Sequence, residues 1–122
     1  MMKKPILRGA HEVTLEVVEE KCRRVKTKKL KADPERVAVD FEDKITWKMK
    51  HEDGPFLVVI KDPVSPLDWS IQAAPKGKKI VGYVRRDAPA RTYQYGIGVF
   101  DGTEIIVSDP EIIVKRPLNV VD

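Results

Sequence analysis

Arg91-Thr92-Tyr93-Gln94-Tyr95-Gly96-Ile97-Gly98-Val99-Phe100 decides the fold of this chain. Tyr93, Tyr95, Ile97 and Val99 alternate with Gln94, Gly96 and Gly98, the period of two that a strand shows when one face is buried. Asp101-Gly102 follows, and because both positions tolerate positive φ the pair predicts a two-residue hairpin turn. Ile105-Ile106-Val107 is the expected return strand. Asp109-Pro110 breaks it, and Ile112-Ile113-Val114 closes the set.

The same alternation recurs upstream. Val13, Leu15 and Val17 form one set, Val37, Val39 and Phe41 a second, and Ile45, Trp47 and Met49 a third. Glu12 to Leu30 holds helix formers, yet its β-branched valines favour two strands with a bend near Glu20. Phe56-Leu57-Val58-Val59-Ile60 is continuously apolar and predicts a central strand covered on both faces. Ile80 to Val84 is a further strand. Val64 to Lys79 lacks periodicity and contains Pro66 and Pro75, so a long crossover loop is expected, with a short helical turn over Ser70 to Ala74. Seven to nine short strands between regular turns predict an all-β, two-sheet Greek-key sandwich. With no repeat and no low-complexity linker, one domain over residues 1–122 is expected.

A 42% hydrophobic and 34% charged composition is that of a globular protein. The single cysteine, Cys22, excludes an internal disulfide and a multi-cysteine metal site within one chain. Pro5-Ile6-Leu7-Arg8 is too short for the apolar core of a signal peptide, and no apolar run reaches membrane-spanning length. The cytoplasm is the default compartment; an exported origin stays open, since a removed leader leaves no trace. Residues 1–31 carry ten Lys/Arg against four Glu, a balance of +6, whereas the whole chain has a net charge of +4. The basic character therefore belongs to the N-terminal strands.

Two stretches together resemble the cupredoxin-like sandwich, within the wider range of immunoglobulin-like folds. One is Val39-Asp40-Phe41-Glu42-Asp43-Lys44-Ile45-Thr46-Trp47 with His51 and Phe56 downstream; the other is the strand of Tyr93 and Tyr95. The latter is similar to the Tyr-x-Tyr-x-Cys-x-x-His strand of small copper proteins, and the resemblance covers residues 35–115. It implies the sandwich but not the metal. Ile97 stands at the cysteine position and Phe100 at the second histidine, and neither His nor Met follows His51. A blue-copper site needs two imidazoles and a thiolate. No cofactor is expected.

Catalytic constellations are equally scarce. Ser65, Ser70 and Ser108 lie in or beside turns, outside any nucleophile elbow. His11 and His51, even with Glu52 or Asp53, have no metal-ligand spacing. Gly96-Ile97-Gly98 is no phosphate loop, and glycines in a strand mark a bulge or a close approach. Lys21, Arg23, Arg24, Lys26, Lys28, Lys29 and Lys31 put seven cations in eleven residues, a candidate anion-binding patch. No aromatics interleave with them for base stacking, and lysines on an edge strand also prevent stray pairing. Trp69, in the proline-rich crossover, is a candidate loop contact. The expectation is a non-enzymatic module for macromolecular binding or structural support. The partner itself is left open, a protein being one candidate; nucleic acid or an anionic surface at residues 21–31 is the alternative.

Overall fold

The alternating segments form ten β-strands in the computed structural model, which describes residues 9–51 and 54–115. They are β1 (Ala10–Cys22), β2 (Val25–Asp33), β3 (Arg36–Val39), β4 (Lys44–Met49), β5 (Phe56–Ile60), β6 (Ile71–Ala74), β7 (Ile80–Tyr83), β8 (Thr92–Phe100), β9 (Ile105–Ser108) and β10 (Glu111–Val114). The smaller sheet has the order β2-β1-β4-β7. The larger has the order β3-β10-β8-β5-β6, with β9 also paired to β8. β9 and β10 share one side of β8: β10 takes Thr92–Gln94, β9 takes Ile97–Phe100, and Asp109-Pro110 separates the two. The expected all-β two-sheet sandwich is observed, with one strand more than the upper expectation.

The side chains that alternate inward fill the space between the sheets. Val13 and Leu15 of β1, Ile45 and Trp47 of β4, Val58 of β5 and Tyr93, Tyr95, Ile97 and Val99 of β8 are all almost completely buried. Trp47 lies at the centre, donating from Nε1 to Tyr95 Oη at 3.1 Å, with the two rings edge-to-face at 5.7 Å. Burial pushes the Tyr95 phenol up to about 12, so it stays neutral and accepts that bond. Tyr93 donates from its hydroxyl to the Pro89 carbonyl at 2.6 Å, the corner device of many sandwiches, and the Arg91 guanidinium covers its ring at 4.5 Å.

Four local expectations are corrected. The β1–β2 turn falls at Arg23-Arg24, not near Glu20, with Arg23 at φ 59°; no glycine or asparagine marks it. Ser70 to Ala74 holds no helical turn, because Ile71–Ala74 is β6, which completes the backbone pairing of β5. β5 is central, but only Phe56, Val58 and Ile60 are buried; Leu57 and Val59 are half-exposed on the outer face. The Asp101-Gly102 turn widens to four residues, since Phe100 pairs with Ile105. Asp101 Oδ1 holds this loop by accepting from the Thr103 and Glu104 amides, each at 2.9 Å.

Candidate functional site

The basic segment becomes an arm. β1 pairs with β4 only over Ala10–Leu15, so its remaining residues pair with β2 alone as a two-stranded ribbon. Every residue from Glu19 to Lys29 is exposed. Strand alternation divides the cations. Lys21, Lys26 and Lys28 share one face with Glu19, whereas Lys29 and Lys31 share the other with Glu16 and Glu20. Arg23 and Arg24 form the tip. Lys28 is committed to an ion pair with Asp101 of the β8–β9 loop. Cys22, opposite Val25 at the tip, is exposed.

Trp69 is not a free contact. It is half-buried, lies edge-on to Trp47 at 5.7 Å, and donates from Nε1 to the Val81 carbonyl at 2.8 Å. Gly82 makes room for it: a Cβ there would lie 3.0 Å from Trp69 Cζ2. The crossover is thereby fastened over the sandwich. Ser65 serves the same purpose, donating to the Trp69 carbonyl at 2.6 Å and accepting from the Leu67 amide.

The histidines stand apart. His11 pairs in register with Ile45 at the start of β4, and His51 follows the other end of that strand, roughly 20 Å away at the strand rise. Glu52 and Asp53 lie outside the described residues. His51 Nε2 is 3.6 Å from Glu16, while His11 Nε2 is 2.8 Å from Asp43 Oδ2. Asp43 also accepts from the Gly9 amide at 2.8 Å and the Asp40 amide at 2.9 Å. Burial pushes its carboxyl up, but the bonds from Asp40, His11 and Gly9 outweigh that and hold it below the usual carboxylate range. The cluster clamps the start of β1 to the β3–β4 turn. Among the described residues, no three His, Cys, Asp or Glu side chains gather as a metal-ligating group. Ile97, at the thiolate position of the copper motif, is buried in the core, and Phe100, at the second histidine, is exposed on the opposite face.

Sequence reasoning did not find an apolar surface that the structure assembles. On the outer face of the larger sheet, Leu57 pairs with Ala73 and Gly98, and Gly98 with Val107. In the next row Val59 pairs with Ile71 and Gly96. Gly96 and Gly98 present no side chain here, so they floor a groove between aliphatic walls. Ile105 is 70% exposed, Val107 67%, Ile71 63% and Phe100 45%. The groove measures about 200 Å³ near Pro55, Leu57, Ala73, Gly98, Phe100 and Ile105. At one end Lys61 passes over Gly96 to pair with Asp109. The glycines are thus neither a bulge nor an approach of another backbone within the chain. The available signal was apolar residues in both phases: Leu57 and Val59 in β5, Ile105 and Val107 in β9. A wider depression of about 440 Å³ on the smaller sheet is lined by charges of both signs, Lys31, Lys48 and Lys50 with Glu16 and Asp33.

Among solved structures, the chain is similar to a pseudoazurin from Sinorhizobium meliloti. The two are 12% identical, the match covers 90% of this chain and 77% of that one, and the TM-score is 0.46. No family model matches the chain, and no curated protein does.

Proposed function

We propose that this chain is a non-enzymatic binding module that docks another protein on the outer face of its larger sheet. One observation carries the proposal: Ile71, Leu57, Val59, Phe100, Ile105 and Val107 form a contiguous apolar surface around two glycines. Single exposed aliphatics are ordinary, but a contiguous patch with charged margins marks an interaction surface. The absence of turnover is supported by how polar atoms are used. Ser65 closes a turn, and Asp43 with His11 fastens β1. The test compares wild-type protein with Val107→Glu, a change at an exposed position, as immobilised baits for a cell extract. Proteins retained by wild type and lost with Val107→Glu are expected. Identical capture by both, or hydrolase or redox turnover that survives repurification, would overturn the proposal.

A second reading is favoured by the shape of the β1–β2 arm. A two-stranded ribbon is narrow enough for the major groove of DNA, and Lys21, Arg23, Arg24 and Lys26 at its end make no ion pair among the described residues. The interleaved Glu19 and Glu20 weaken it as a cationic surface, which places this reading second.

A further inference from the structure

We infer that the occupant of the apolar face is a second copy of this chain. This rests on the proposed docking role of that face and goes further by naming the partner. Its charged margins differ from side to side. Lys61 follows β5, and Lys76 and Lys78 lie in the turn that leaves the far end of β6, whereas the β9 flank carries Asp101, Glu104 and Asp109. Lys76 and Lys78 are exposed and make no ion pair among the described residues; Glu104 is exposed as well. Lys61 pairs with Asp109 across the groove, Asp101 pairs with Lys28, and Asp62 beyond the face is 3.6 Å from Arg91.

Turning a second copy by half a revolution about an axis in the face and parallel to the strands exchanges the two flanks. β6 of each copy then lies over β9 of the other. Lys76 and Lys78 meet Glu104 twice, because contacts about a two-fold axis occur in pairs. The same operation sets Ala73 over Val107 and Leu57 over Gly98, whose missing side chain leaves depth for it, with Ile71 at the level of the Lys61–Asp109 pair. A two-fold axis running across the strands would place β6 over β6 and oppose lysine to lysine. Charge therefore selects one of the two face-to-face arrangements.

Four strands spaced about 4.8 Å and about five residues long make a small interface. A dissociation constant in the micromolar range or weaker is expected. Sedimentation equilibrium of the full chain over about 5–500 µM should show a monomer–dimer equilibrium. Val107→Glu should raise the dissociation constant at least about tenfold while leaving circular dichroism and the urea midpoint unchanged. Glu104→Lys alone should weaken the dimer, Lys76→Glu with Lys78→Glu should weaken it, and all three together should restore it. A monomer at every concentration overturns the inference, as does a dimer indifferent to Val107→Glu or uncompensated by the triple reversal. In the monomer case the extract capture separates the two ideas. Capture lost with Val107→Glu leaves the face docking a different protein; capture unaffected removes the face as a docking surface.

Discussion

Asp43 accepts three hydrogen bonds in a site where a Cβ on Gly9 would fall 2.7 Å from its Oδ2. Its carboxylate holds the first described residues of β1 against the β3–β4 turn, so its ionisation is coupled to folding. The ordinary carboxyl value is 3.8, and the native one lies lower. In that interval the unfolded chain binds more protons than the native one, and stability rises with pH. The contribution of Asp43 is complete above about pH 4 and is lost as pH falls through the lowered native value. Asp43→Asn turns one acceptor oxygen into a donor facing donors, at a cost of about 1–3 kcal/mol at pH 7. Urea unfolding at pH 7 and at pH 3 checks this: the gap between variant and wild type narrows in acid. An equal gap at both pH values would place the effect in packing instead.

The β1–β2 arm shows what one element can do apart from the sheet that carries it. Every residue from Glu19 to Lys29 is exposed and only Lys28 lays its side chain against Asp101, so joining Val18 to Lys29 through an Asn-Gly turn loses one surface ion pair and should shift stability by no more than about 1 kcal/mol. The anion-binding reading belongs to the same element. Arg23→Glu, Arg24→Glu and Lys26→Glu together should abolish retention on heparin at low salt, and wild-type retention should fall steeply as salt rises. Wild-type protein that flows through heparin at low salt ends that reading and leaves the apolar face alone. The Lys28–Asp101 pair makes the arm more than a dangling ribbon, since it ties β2 to the loop beside the groove.

At the scale of the molecule, pairing is dominated by residues distant in sequence. β3 runs parallel to β10, with Arg36 opposite Glu111, and β1 runs parallel to β4. Closing such loops costs entropy before the contacts repay it, so refolding in about milliseconds to seconds is expected. Stopped-flow fluorescence of Trp47 and Trp69, matched against far-ultraviolet circular dichroism, measures it. Sub-millisecond folding would mean that local pairings, not the closure of the two sheets, set the rate.

How far the sequence reached differs between elements for physical reasons. Tyr93 to Val99 announced its strand because one buried face imposes a period of two, and Ile45 with Trp47 did so for the same reason. Arg23-Arg24 was silent because its turn uses no residue that favours positive φ. Ile71 to Ala74 was silent because a short edge strand is recruited by its neighbour β5, not by its own pattern. Composition and alternation by themselves determined an all-β sandwich with an apolar interior, and the residue inventory left the copper motif without its thiolate and second imidazole. Only the tertiary structure decided that Trp69 is spent on Trp47, that the basic run splits between two faces of a ribbon, and that Leu57, Ile71, Ile105 and Val107 meet over Gly96 and Gly98. Alternation is local and can be read along the chain. Which outward-facing residues become neighbours depends on the register between strands far apart in sequence, and that exists only once the sheets have formed.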